Sequence, residues 1–425
     1  MTFLQKPYDR ERKLMPILMK ATQQGIRVNR DALIEDEIIY TEALSDAAQT
    51  VRNLLGTPNL NLGSPMQLAA ALTSSNVLSK PLPLTPKGNP STAKDVLVDC
   101  IGDQQLIDAL AYVSSLDTCL GTFIHSWISF SKDDGRVHPE WNQVRDTDRK
   151  AKGTKTGRLS SSKPNFQNVP NEFKHGIPDG FPALPFLRSY CLPEEGHLWV
   201  KRDFSSQEIR ILAHFEDGML MEAYQGNPDL DPHEMIRQIV ADLSGTLYDR
   251  KDIKITGFSI VYGSGKKAIA QQLGKTESMA GEIKSAFLKA VPGVRELAKG
   301  TGSAGRRGDY LTTWGGRRYY AEEPQWSYRL LNYLIQGSAA DQTKQCINDW
   351  HYEYRRPAYD QFLATVHDEI NISVQEDHVE EGMENLRLAM DQPLFDVPMR
   401  SEGFVGKDWY NISLWSDKDK KIVKE

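Results

Sequence analysis

The stretch VKRDFSSQEIRILAHF, Val200–Phe215, carries the first clue to how this chain is built. Its lead-in, His197 to Arg202, reads as a strand, and the chain turns at Asp203. Ile209, Leu212 and Ala213 then fall on one face of a helix. An acid at the mouth of a strand, just ahead of a helix start, is well placed to hold a metal ion. The same residues have an ordinary use. Ser205-x-x-Glu208 fits a capping box, which accounts for both side chains without any chemistry. On this stretch alone both readings stand.

The bulk properties narrow the class. At 425 residues the chain has room for two or three structural units around more than one core. A 40% hydrophobic content, 25% charged residues and a mean hydropathy of -0.49 describe a globular protein. No apolar run approaches the ~20 residues of a membrane span. The start, Met1-Thr-Phe-Leu-Gln-Lys-Pro, lacks an apolar signal core, so export is not indicated and a cytoplasmic setting is expected. Cys100, Cys119, Cys191 and Cys346 are far apart, with no CxxC, and read as reduced, buried thiols rather than a zinc site. The net charge of -6 argues against a protein that coats nucleic acid by charge alone. Local charge therefore matters more than the total.

Upstream of Val200 lie two contrasting regions. Residues 8 to 55 read as helices, with Leu14, Ile17, Leu18 and Ala21 on one apolar face, then Ala43, Leu44, Ala47 and Val51 on another. Ser64 and Pro65 mark a further helix start, residues 78 to 95 an exposed loop, and helices resume to about Ser131. No catalytic-looking cluster occurs there. Asn142 to Pro170 is different. It holds Arg145, Arg149, Lys150, Lys152, Lys155, Arg158 and Lys163 against Asp146 and Asp148, and its Asn165, Gln167 and Asn168 can donate to groove edges and phosphates.

Downstream, Arg250, Lys254, Phe258 and Tyr262 recur every four residues. Each step of four on a helix advances about 40° and ~6 Å, so the four form one slowly winding stripe roughly 18 Å long. Cations at one end and aromatics at the other suit a nucleoside triphosphate; a helix with charges outside and aromatics in the core has the same pattern. Gly263-Ser-Gly265 ends it. Gly308 to Tyr320 reads as a hairpin turning near Gly315-Gly316, and Tyr328 to Arg355 as a long helix carrying Asn332, Gln336, Ala339 and Ala340. Gln361 to Val374 is two β runs flanking His367-Asp-Glu369, a polar tip between apolar strands, where an ordinary turn also favours Asp.

Taken together and in order, these motifs resemble the family A DNA polymerases, the DNA polymerase I type, from about Lys13 to Trp409. Asp203 to Arg210 is similar to motif A, Arg250-x3-Lys254-x3-Phe258-x3-Tyr262-Gly263 to motif B, and VHDEI (Val366–Ile370) to motif C. TGRLSSSKPNFQN (Thr156–Asn168) resembles the template-primer segment and QGSAAD (Gln336–Asp341) the long palm helix. The resemblance implies an α+β, right-hand polymerase fold with an antiparallel palm sheet, helical thumb and helical fingers. It divides the chain into residues 1–42 (helical part of the palm), 43–134 (thumb), 135–219 (palm with motif A), 220–322 (fingers) and 323–425 (palm with motif C).

The implied activity is primer extension, with a 3′-hydroxyl attacking an α-phosphate and pyrophosphate leaving. Asp203, Phe204 and Asp368 would form the metal site for two Mg²⁺ ions, with Mn²⁺ as a substitute, and Glu369 would support it. Arg250, Lys254 and His233 would hold the triphosphate, Lys254 also serving as the acid for pyrophosphate. Phe258 would stack on the nucleotide, Tyr262 guard the template base, and Glu208 exclude a 2′-hydroxyl. Arg158, Asn165, Gln167, Asn168, Asn332, Gln336 and His367 would contact primer-template DNA without reading its sequence. Implied partners are dNTPs, primer-template DNA and a separate exonuclease, helicase or processivity factor. No exonuclease motif precedes the module in these residues, so no proofreading is expected, in a viral enzyme or a module of a larger assembly.

The pattern departs from the family at several points. Phe204, Ser206 and Gln207 stand where Tyr, Gln and an aliphatic are common, and Gln207 is expected to bring an amide to the nucleotide pocket. Gly257 replaces a frequent Asn. Arg329 lies one residue off the family arginine, and Tyr112 to Phe123 lacks the usual basic residues. Three other classes share parts of this pattern: a single-subunit RNA polymerase relative, a non-catalytic DNA-binding relative and a two-metal nuclease.

Overall fold

The computed structural model describes residues 5–145, 152–173 and 176–423. At its centre is a six-stranded antiparallel sheet. Its order is Lys421–Ile422, Ile412–Ser416, Ser401–Gly406, His197–Phe204, Glu369–Gln375, Asp360–Val366. His197–Phe204 is an interior strand. It pairs with Glu369–Gln375 on one side (Asp203 opposite Glu369, His197 opposite Gln375) and with Ser401–Gly406 on the other. This shifts the expected turn: the strand runs through Asp203 to Phe204, because Glu369 still pairs with Asp203 and Ser401 with Phe204, and the Phe204 ring is buried.

Alternation along the strands sends residues into two cores. Val200, Phe204, Ile370, Ile372 and Val405 join Leu331, Ile335 and Ile347 of the helix Leu330–Asp349 and Met383 and Leu386 of the helix Val379–Met390. Trp199 and Leu363 face the other way, against Tyr112, Phe123 and Trp127. There Trp127, Phe166, Trp409 and Trp199 stack in series with ring centroids 5.7, 5.6 and 5.7 Å apart.

The N-terminal helices are Gln5–Gln24 and Arg30–Leu54, interrupted by a strand, Ile26–Val28, that the helical reading of residues 8 to 55 did not include. Gly25, at φ +68°, takes the chain out of the helix, and Ile26 and Val28 are buried between Arg136–Val137 and Cys191–Leu192. Ser64 caps the helix Pro65–Ser74 as expected.

Among the described residues one helical run, Gln104–Phe130, is by length and composition apolar enough to cross a membrane, contrary to the sequence expectation. Half of its most apolar 18-residue window is buried, and Leu106, Tyr112, Leu116, Phe123 and Trp127 of the run are core residues.

Six helices between Met219 and Arg307 form the next lobe, followed by the hairpin Leu311–Thr312/Arg318–Tyr319. Gly257 has a packing reason: a Cβ there would sit 3.1 Å from the Phe287 ring of the crossing helix Glu277–Ala290. All four cysteines are free and buried.

Candidate active site and nucleic-acid interface

The hairpin Asp360–Val366/Glu369–Gln375 turns through His367 and Asp368, with His367 at φ +58°. That turn carries Asp368 to the end of the central strand, where its carbonyl accepts from the Phe204 N–H (3.4 Å). Asp203 and Asp368 thus lie side by side, from remote parts of the sequence. Burial, then the charge of Asp368, raises the Asp203 carboxyl to about 7. Burial also raises Asp368, against the pull of Arg158. The nearby cations are engaged elsewhere: Arg158 by Glu208 and Lys201 by Glu369 at 3.1 Å. Neither carboxylate has an ion-pair partner among the described residues.

Two crowded carboxylates with no counter-ion fit a hard divalent cation. Among the described residues no group of three or more His, Cys, Asp or Glu forms a closed metal cage. Mg²⁺ suits the smaller set, since it commonly takes one or two carboxylates and completes its shell with waters and substrate phosphates. Phe204, expected at the metal, has its ring in the core, so its main-chain oxygen is the only atom it could offer.

Glu369 is tied down beside this pair. Its carboxylate takes Lys201 (3.1 Å), Arg188 (3.7 Å), Asn371 Nδ2 (2.9 Å) and Trp409 Nε1 (3.2 Å). Arg188 lies over the Trp409 ring at 4.2 Å. These partners were missed in the sequence. The one local signal was Asn371, two residues beyond Glu369 on the same strand face.

The helix Arg250–Val261 carries the four-residue stripe, with Tyr262 at its end and Gly263 at φ +72° behind it. Phe258 and Tyr262 stack at 6.4 Å, and His233 approaches Phe258 at 5.9 Å. Burial first, then the charge of Lys254, lowers the His233 imidazole to about 4. Arg250 pairs with Asp231 (Nε to Oδ2, 2.7 Å), a partner that sequence reasoning did not find although Asp231 directly precedes Pro232-His233.

Glu208 does not form the capping box. Its helix begins at Gln207, after Ser206 in the left-handed region (φ +58°) with no side-chain cap, while the Ser205 N–H is taken by the Arg400 carbonyl. Freed from that role, Glu208 accepts from Arg158 and from the Tyr262 hydroxyl (3.2 Å), and Gln336 Nε2 donates to the same hydroxyl (3.1 Å). Four segments meet in this chain of bonds. Gln207 is not among them. The left-handed turn sends it the opposite way, buried, with Nε2 donating to the Ala339 carbonyl (3.3 Å), Gln342 Oε1 (3.0 Å) and Thr343 Oγ1 (3.2 Å).

Gln167 braces the acid hairpin, donating to the Thr365 carbonyl (2.5 Å) and accepting from the His367 N–H (3.2 Å). Asn165 accepts from the Gln167 N–H (3.1 Å), and Asn165, Asn168 and His367 are exposed. Asn332 is half-buried, its Oδ1 lacking a hydrogen-bond partner. The basic segment is partly neutralised: Lys152 and Lys163 pair with Glu140, and Lys155 with Glu322. Arg149 and Lys150 lie outside the described residues.

Comparison with known proteins agrees with this geometry. The family model for DNA polymerase family A matches residues 30–411. DNA polymerase I of Caldicellulosiruptor bescii is 27% identical over 419 residues, covering 94% of this chain and 46% of that protein. DNA polymerase DpoZ of Salmonella phage PMBT28 is 27% identical over 451 residues, covering 95% and 69%. The chain spans about half the length of most curated relatives it matches. Among solved structures, the polymerase domain of Pol1 from M. smegmatis, in complex with DNA primer-template and dNTP, aligns with a TM-score of 0.80 at 25% identity. The alignment covers 94% of this chain and 70% of that one. The α+β fold is therefore the expected right-hand polymerase fold. With its match running through nearly the whole sequence, the chain belongs to DNA polymerase family A.

Proposed function

We propose that this chain is a DNA-templated DNA polymerase that adds deoxynucleotides to a primer 3′-hydroxyl. The new bond joins the 3′-oxygen to the α-phosphorus, and the bond to the pyrophosphate oxygen breaks. The observation that carries this reading is the pair Asp203 and Asp368, half-buried side by side with no ion-pair partner among the described residues, near the Glu208–Tyr262 link. The chain's own resemblance to the M. smegmatis complex, which contains primer-template and dNTP, supports it.

Asp203 and Asp368, with the Phe204 carbonyl, would hold two Mg²⁺ ions, or Mn²⁺ in their place. When bound, such ions lower the pKa of the attacking hydroxyl and stabilise the attacking and leaving oxygens. Glu369, saturated by Lys201, Arg188, Asn371 and Trp409, orients the acid strand instead of ligating. Arg250 and Lys254 bind the triphosphate, and Lys254 gives a proton to pyrophosphate as it leaves. His233, neutral near pH 7, donates a hydrogen bond to a phosphate. Phe258 stacks on the incoming nucleotide, Tyr262 limits the template position, and Glu208 closes the space a 2′-hydroxyl would need.

Arg158, Asn165, Gln167, Asn168, Asn332, Gln336 and His367 line the primer-template side. In this reading residues 43–134 act as thumb, 220–322 as fingers, and residues 1–42, 135–219 and 323–425 as palm. The setting in this reading is cytoplasmic, or viral with action in the host cell, which suits relatives from a bacterium and a phage, with exonuclease, helicase or processivity functions supplied separately. Extension of a primed template with dNTPs tests the reading. Preferential rNTP use would make the chain an RNA polymerase relative, and degradation without dNTPs a nuclease. A mismatched primer terminus tests the expected lack of excision.

A further inference from the structure

Asp231 does two jobs with one carboxylate. Its Oδ1 accepts from the main-chain N–H groups of His233 (3.0 Å) and Glu234 (3.2 Å), capping the helix Pro232–Ser244. Those bonds fix the carboxylate, and its other oxygen, Oδ2, receives Arg250 Nε at 2.7 Å. Arg250 is the first residue of the stripe-bearing helix. The remaining titratable groups around the pair are Lys254 and the neutral His233, with Glu234 and Arg237 paired to each other at 2.8 Å. Both partners are well exposed, Arg250 at 48% and Asp231 at 42%. An exposed pair of this kind contributes little, so a stronger anion can displace it.

We propose that Asp231 is a positioning residue that holds Arg250 while the site is empty, yields it to the triphosphate, and reclaims it as pyrophosphate departs. The proposal rests on reading Arg250 as a phosphate ligand. A carboxylate anchored by a helix cap cannot follow Arg250 away, so it both preorients the guanidinium and competes with any phosphate for it. The consequence is weaker retention of the product than Arg250 and Lys254 alone would give.

The test is Asp231→Asn, which keeps a good capping residue while removing the charge. An exposed ion pair corresponds to about a two- to fivefold effect, so KM for dNTP and the inhibition constant for added pyrophosphate should both fall about two- to fivefold. Asp231→Ser, which also caps, should behave the same way. In an Arg250→Ala background Asp231→Asn should change neither constant. Unchanged or raised constants in the single variants overturn the proposal, as does a shift that persists without Arg250. If Arg250→Ala alone leaves both constants unchanged, the reading of Arg250 as a phosphate ligand fails instead, and absence of primer extension by the wild type would refute the proposed activity itself.

Discussion

The Phe204 N–H and the Asp368 carbonyl meet at 3.4 Å across the end of the central sheet, holding the two acids side by side. Burial raises both carboxyls, and the charge of Asp368 adds to the rise at Asp203, which reaches about 7. A carboxyl raised in this way costs stability once pH climbs through its folded value. Mg²⁺ should therefore raise the wild-type melting temperature at pH 8, by on the order of 2 °C or more. Asp368→Asn should melt higher than wild type in chelator at pH 8 and lose the Mg²⁺ gain. Differential scanning fluorimetry reads both; an equal Mg²⁺ shift in the variant would count against this pair as the metal site.

His233 gives a pH signature of opposite form. Its imidazole is lowered to about 4 by burial and by Lys254, against 6.5 when unperturbed. Between these values the unfolded chain binds a proton that the folded chain refuses, so stability falls as pH drops from 6.5 toward 4 and is unaffected above. Denaturation at pH 5 and pH 7 should show a gap that narrows by about 1–2 kcal/mol in His233→Gln. An unchanged gap would place the neutral imidazole elsewhere.

Glu208 caps nothing, so replacing it reads its cleft role alone. Glu208→Ala removes the acceptor shared by Arg158 and Tyr262 and opens the space that the proposed function assigns to the sugar. Ribonucleotide incorporation relative to dNTP should rise by on the order of tenfold, a typical scale for small steric differences. Single-nucleotide insertion kinetics measure the ratio, and a constant ratio would remove Glu208 from sugar selection.

Phe258 stacks at 6.4 Å on Tyr262, at the aromatic end of the stripe. Phe258→Tyr adds a hydroxyl that can replace the hydrogen bond lost with a 3′-OH, so dideoxynucleotide use should improve by about tenfold. Chain-termination assays would show no change if the stripe is registered differently against the nucleotide.

Much of this was legible because long-range proximity was encoded in local motifs. Asp203 lies near the end of one strand and Asp368 in the turn just ahead of another, each within a recognisable pattern, and strand pairing brings them together. The helix Arg250–Val261 was readable from its spacing of four. What the sequence hid depended on contacts between distant segments. The left-handed conformation at Ser206 sends Gln207 into the palm helix and releases Glu208, and nothing in Ser205-Ser206 announces it. Lys201, Arg188 and Trp409 converge on Glu369 from three separate places. Ile26–Val28 is too short a strand to show a period, and the apolar run Gln104–Phe130 makes sense only once its packing partners are in view.

The central claim is that Asp203 and Asp368 jointly carry nucleotide addition. Primer extension with Mg²⁺ and dNTPs, comparing wild type with Asp368→Asn, tests it most directly. Losing several kcal/mol of charge stabilisation should slow the variant about a thousandfold while primer-template binding is retained. Equal extension by both proteins would contradict it.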